Sequence, residues 1–166
     1  FKFSNDAFSF SHRRQASIHK ITKYIKKSYA GPLFMKEIFS LDMVLNNKKK
    51  PITCIIGGSK ISTKIGVITS LIKKVDNLII VGAMANNFIK FKGIKVGKSL
   101  IEPGSEIVIK EIFKNADRHN CKIISPIDFA VSDSTDGNAR LKELENVEKN
   151  EIILDIGPET IRNISK

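Results

Sequence analysis

The residues best suited to chemistry sit in one short stretch. In CIIGGSKISTKIG, residues 54–66, an apolar run stops at Gly57-Gly58, and isoleucines then recur at helical spacing from Ile61 onward. Glycine lets the backbone adopt positive φ and come close to a bulky group. A helix start offers backbone N–H groups without partners and the positive end of the helix dipole. Lys60 and Lys64 lie four residues apart. On a helix that spacing puts both ammonium groups on one face, offset from the isoleucine stripe. Two cations at a helix N-terminus repel each other and oppose the dipole, and an anion relieves both penalties. The chemistry this suits is phosphate binding. The segment matches neither GxxxxGK[ST] nor GxGxxG. Taken alone, it is equally consistent with a glycine turn followed by two solvated lysines.

Other polar residues carry weaker signals. His12 and His19 flank the adjacent Arg13 and Arg14. His12 suits a supporting place beside an arginine-bound phosphate and, more simply, an exposed position. His119 lies in a polar turn, and Asn5 and Asp6 suit a loop. Asp128, in SPIDF, lies near a strand end within reach of a ligand, although Pro-x-Asp more often shapes a turn. Gly157-Pro158 ends a strand and opens a helix. Phe88 and Phe91 are expected in the core. Cys54 and Cys121 each sit in an apolar run expected to be a buried strand, with neither a disulfide nor a metal site between them.

The elements that must position these residues change character at Pro51. Before it, apolar residues at steps of three and four from Leu33 to Leu45 predict an amphipathic helix. Gly31-Pro32 opens that helix, and Asn46, Asn47 and the lysines close it. After Pro51, short apolar runs at 52–56, 78–81, 121–124, 129–131 and 151–156 predict strands. Helical patterns follow at 61–75, 84–91 and 106–116, and 132–150 reads as a polar loop with a helical turn. Strands without alternation are buried on both faces. Separated by helices, they predict an α/β, Rossmann-like parallel sheet with flanking helices. Ligands of such sheets sit beyond the carboxyl ends of the strands. That rule points to 57–64, Gly82–Met84 and Asp128.

Length and charge bound the rest. The chain has 166 residues, 42% hydrophobic and 27% charged, the proportions of a globular domain or slightly more than one. Its net charge of +11 admits a basic nucleic-acid-binding protein. The lysines are scattered, however, with one short cluster at Lys48, Lys49 and Lys50, and abundant Ile and Asn suggest a compositional origin. No run is long enough to span a bilayer, and the first residues do not have the pattern of a targeting signal. A soluble, cytoplasmic protein is expected, without membrane or nucleic-acid partners. The first residue is not Met, which suggests a natural start further upstream.

The stretch GGSKISTKIGVITSLIKKVDNLIIVGAMANNFIKFKGIKVGKSLIE is similar, nearly position by position, to the opening of the nucleotide-binding domain of phosphoglycerate kinases. NDAFSFSHRRQASI resembles the end of that family's substrate domain, and AGPLFMKEIFSL the helix joining the two domains. PIDFAVSD and DIGPETI continue the likeness in order. The resemblance implies three parts: 1–30 as the end of an N-terminal α/β substrate domain, 31–50 as interdomain helix and linker, and 51–166 as an incomplete three-layer α/β/α nucleotide domain.

It also implies roles. Arg13 contacts the phosphoglycerate side, where a guanidinium grips phosphate or carboxylate with two donors. Lys60 approaches the transferring phosphoryl group, and Lys64 holds nucleotide phosphates. Gly58 and Ser59 bring backbone close to the nucleotide. Gly82 and Ala83 line the adenine pocket, where the family's three glycines read Val81-Gly82-Ala83. The implied reaction is reversible phosphoryl transfer between 1,3-bisphosphoglycerate and ADP, giving 3-phosphoglycerate and ATP, in a protein that is monomeric at full length. Mg²⁺ would accompany ATP or ADP, its protein ligand lying outside this chain. The chain alone is expected to bind nucleotide weakly without turning over. A non-catalytic nucleotide- or anion-binding module is the alternative.

Overall fold

The computed structural model describes residues 1–46 and 49–165. Asn47 and Lys48, two of the residues expected to close the linker helix, and Lys166 lie outside the described residues. The chain divides into two compact units, Phe1–Lys49 and Lys50–Lys166.

In the first unit β1 (Phe3–Asn5) and β2 (Ser28–Ala30) pair in parallel, and α1 (Pro32–Asn46) follows. Asn5, expected in a loop, ends β1, and β2 has no counterpart among the predicted strands. The Asp6 carboxylate accepts the Phe34 N–H at 2.8 Å and so satisfies the first turn of α1. Phe8 meets Phe34 edge-on, with ring centroids 5.4 Å apart. Apart from Gly31, no described residue of this unit is buried. The apolar stripe of α1 is present as expected but uncovered; Leu33, Phe39 and Val44 are each more than half exposed.

The second unit begins with β3 (Thr53–Ile56), α2 (Ile65–Ile72), β4 (Asn77–Ile80), α3 (Gly82–Phe91), α4 (Glu106–Arg118) and β5 (Lys122–Ile124). The three strands form a parallel sheet in the order β3-β4-β5. In the central strand, Leu78, Ile79 and Ile80 are at most 1% exposed, so both faces are buried as the apolar run predicts. The same expectation fails for β3. Ile55 is 59% exposed, although its register partner Ile79 is buried. Whatever covers that face of the sheet stops short of its edge.

The chain continues through β6 (Asp128–Ser132), β7 (Arg140–Glu143), β8 (Ile152–Ile156) and α5 (Pro158–Ile164). These strands form a separate sheet, β7-β6-β8, and both pairings are antiparallel. The expectation of a single parallel sheet therefore holds only as far as β5. A short link joins β6 to β7, as antiparallel neighbours allow, and β7 and β8 lie on either side of β6 without pairing to each other. The loop expected over 132–150 contains β7 and, at Leu144–Asn146, a 3-10 turn.

The core lies among α2, α3, α4 and the strands, with Ile61, Ile68, Phe88, Ile109 and Phe129 at 0–1% exposure. Burying each such side chain contributes about 1.5–3 kcal/mol. Phe88 is core as expected. Phe91 is partly exposed and stacks on Phe113 at 5.9 Å. Cys54 is half-buried, Cys121 is buried and both are free thiols; burial pushes both pKa values up. Among the described residues, no helix is long and apolar enough to cross a membrane.

Candidate functional site

The first glycine corner follows β3. Gly58 has φ +139, a conformation that side chains rarely adopt. Lys64 folds back over it: a Cβ built on Gly58 would lie 3.2 Å from Lys64 Nζ and 3.3 Å from its Cε. The missing side chain is thus the space the lysine tip occupies. The second corner follows β4. Val81 caps α3, and Gly82 opens it with φ +65. The two corners brace each other. Val81 N–H donates to Ile56 O at 3.0 Å, and Met84 N–H donates to Gly58 O at 2.6 Å. A Cβ on Gly82 would stand 3.6 Å from the Gly58 nitrogen. The structure therefore brings Gly58, Lys64 and Gly82 together at the carboxyl ends of two adjacent parallel strands, the expected place for a ligand.

Lys60 departs from its expected setting. The helix starts at Ile65 with Lys64 at its cap, and Lys60 lies ahead of it in the exposed loop beside Ser59. The two lysines do not share a helical face. The cause lies about forty residues away in sequence. The Glu102 carboxylate accepts the N–H groups of Ile61 at 2.6 Å and Ser62 at 3.1 Å, together with the Ser62 hydroxyl. These bonds fix a turn where the isoleucine spacing continues the helix. They also take up two of the N–H groups expected to be free for an anion. The Ser62 hydroxyl and N–H lead in holding the Glu102 pKa below its usual range, against the effect of burial, with the Ile61 N–H and the Lys60 charge adding to them. Among the described residues, neither the Lys60 nor the Lys64 ammonium forms an ion pair.

Gly82 and Ala83 line a small cleft with Pro126, Phe129, Leu154 and Ile156. Its volume is about 30 Å³, the space of one water.

Asp128 is occupied elsewhere. It is 7% exposed and accepts the N–H of Glu159 at 2.9 Å, the N–H of Thr160 at 2.7 Å and the Thr160 hydroxyl at 2.5 Å. Burial raises its pKa, but these donors outweigh burial and leave it low. It closes the first turn of α5, so the strand-end position expected within reach of a ligand serves a helix cap.

A second group of cations lies on the antiparallel sheet. Arg140 Nη2 is 3.0 Å from both Asp133 Oδ1 and Glu151 Oε1, and Lys142 Nζ is 2.7 Å from Glu148 and 2.9 Å from Glu151. Glu151 is 1% exposed. The Glu148 N–H, then Lys142 and Arg140, hold its pKa down at about 2 against the cost of burial.

In the first unit, Arg13 is exposed. Its guanidinium sits 5.1 Å from the centre of the Phe10 ring, and its N–H donates to Phe10 O at 2.9 Å. His12 and His19 are exposed. Sequence reading missed Glu102 and Asn87. A lone acid before Pro103-Gly104 and an asparagine within a helix carry no local signal for what they hold.

The model of the family described as phosphoglycerate kinase matches residues 2–166. The phosphoglycerate kinase of Wolbachia sp. subsp. Brugia malayi is 43% identical over 164 residues, covering 98% of this chain and 41% of that protein. That of Coxiella burnetii is 39% identical over 166 residues. Its solved structure superposes with a TM-score of 0.84, over 97% of this chain and 42% of the other. The crystal structure of the Pyrococcus horikoshii phosphoglycerate kinase gives 0.77 at 25% identity, over 98% of this chain and 42% of the other. The chain spans about two fifths of the length of the relatives it matches.

Proposed function

The chain belongs to the phosphoglycerate kinase family, and on that premise we propose that it carries the nucleotide-phosphate side of a reversible phosphoryl transfer. 1,3-Bisphosphoglycerate and ADP are the substrates, and 3-phosphoglycerate and ATP the products. The observation that carries this reading is the Lys64 ammonium held over the Gly58 backbone, without an ion-pair partner among the described residues, where the Gly82 corner closes in.

In this reading Lys64 binds the phosphates of ADP or ATP, with the backbone of Gly58 and Ser59 beside them. Lys60 reaches the group in flight. Gly82 and Ala83 support the adenine face. An oxygen of the ADP β-phosphate attacks the acyl phosphate phosphorus, the bond from phosphorus to the carboxyl oxygen breaks, and 3-phosphoglycerate leaves as a carboxylate. The protein forms no covalent bond. It aligns the partners and neutralises the charge spread over the transferred group. Arg13 takes the phosphoglycerate side. On this account 1–30 are the end of the substrate domain, 31–50 the interdomain helix and linker, and 51–166 part of the nucleotide domain. The described residues offer no cluster of three or more His, Cys, Asp or Glu that fits Mg²⁺. The ion would enter on the nucleotide, where it would supply charge neutralisation to the phosphates.

Titration of adenosine, AMP and ADP into the 166-residue chain tests the reading. Affinity should rise with each phosphate and fall as salt is added. Equal affinity for adenosine and ADP would overturn the phosphate site.

A further inference from the structure

Glu102 joins the two corners of the site. Its carboxylate holds the Ile61 and Ser62 N–H groups and the Ser62 hydroxyl, the turn that lies between Lys60 and Lys64. Its own N–H donates to Asn87 Oδ1 at 2.6 Å. Asn87, 3% exposed in α3, donates in turn to the carbonyls of Ala83 at 3.2 Å and Met84 at 3.4 Å. A continuous line of hydrogen bonds thus runs from the second glycine corner through Asn87 and Glu102 to the lysine loop. A carboxylate beside a phosphate site opposes binding unless its charge is spent on other donors. Here three donors take it up, and hydrogen bonds to an ionised acceptor are the strong ones.

We propose that Glu102 is a positioning residue for the phosphate site: its carboxylate sets the turn that places Lys60 and Lys64 relative to Gly58, and it withholds the Ile61 and Ser62 amides from the ligand. The anion is left to the lysines and the backbone at Gly58 and Ser59. This inference rests on the reading of Gly58–Lys64 as a phosphate site and assigns the turn's geometry to a residue outside the loop.

The test compares the 166-residue chain with E102Q, E102D and K64A. ADP and adenosine binding are measured by calorimetry, and Ile61 and Ser62 amide exchange by NMR. E102Q keeps the shape but loses the charge. It should bind ADP about tenfold more weakly, with adenosine unaffected and faster exchange at both amides. E102D keeps the charge but is one methylene shorter, so it should fall between E102Q and the original chain, and it serves as the working variant if E102Q does not fold. Lowering the pH through the titration of Glu102 should speed exchange at Ile61 and Ser62 in the original chain, beyond the general pH trend, but not in E102Q. Unchanged or tighter ADP binding in E102Q would overturn the proposal, and so would unchanged exchange at the two amides. If K64A binds ADP as well as the original chain does, the phosphate-site reading fails. The exchange data then still decide whether Glu102 sets the turn.

Discussion

The second unit holds two pairs of neighbouring cations, treated in opposite ways. On the antiparallel sheet, Arg140 and Lys142 share the buried carboxylate of Glu151 and reach Asp133 and Glu148 besides. Beside the parallel sheet, Lys60 and Lys64 flank a glycine corner with no ion pair among the described residues. Glu102, whose carboxylate feels the Lys60 charge, spends its oxygens on the Ile61 and Ser62 amides and the Ser62 hydroxyl. A cation with an internal carboxylate serves the fold. A cation left facing a close-approach glycine is available to an external anion. Charge alone would not separate these pairs; the placement of the acids does.

The sharpest way to break this contrast is to remove the shared acid. Glu151→Ala leaves Arg140 and Lys142 without their buried partner. Its loss of stability, read as the urea midpoint, should exceed that of Gly58→Ala, Asp128→Ala or Lys60→Ala. ADP affinity of the folded protein should not change. The same network should appear on acidification. Glu151, held at about 2, and Asp128, also held low, have folded pKa values below those of unfolded carboxylates. Their stabilisation is full above about pH 4.5 and is lost as pH falls toward about 2. Urea midpoints should be level from pH 7 to 5 and drop below that, whereas Glu151→Ala should show a shallower drop.

Smaller effects sharpen the other side. Gly58→Ala forces a side chain into a φ of +139 and against the Lys64 tip. It should cost about 1–3 kcal/mol in stability and weaken ADP roughly tenfold by displacing one charge-assisted contact. Asp128→Ala removes the cap of α5 and should cost about 1–2 kcal/mol, with ADP binding unchanged by calorimetry. Lys60→Ala is the mildest. Stability should stay within about 0.5 kcal/mol, and ADP affinity should fall only a few-fold, since this lysine is assigned to the transferring group more than to the bound nucleotide.

The alternation of strands and helices was legible because apolar runs such as 78–81 stop at turn residues, here Asn77 and Gly82, and pack on both faces. Three features were not. β7, of sequence RLKE, has no apolar pattern and exists through its pairing with β6. Asp128 stands where a ligand-contacting acid would, and only the fold reveals that α5 takes all of its acceptors. The isoleucine period reaches back to Ile61 on paper and would put Lys60 at the helix start, but the turn held by Glu102 delays that start to Ile65, from a distance in sequence that no local pattern spans. The glycine corner itself was readable, because positive φ and close approach are properties of the residue type.

The central claim is that Lys64, poised over Gly58, is the anchor of an anionic ligand. Calorimetric titration of ADP into the original chain, Lys64→Ala and Lys64→Arg tests it most directly. The account predicts a loss of roughly fiftyfold or more for Lys64→Ala and a loss within about tenfold for Lys64→Arg, with thermal midpoints unchanged. ADP binding to Lys64→Ala with the affinity of the original chain would contradict it.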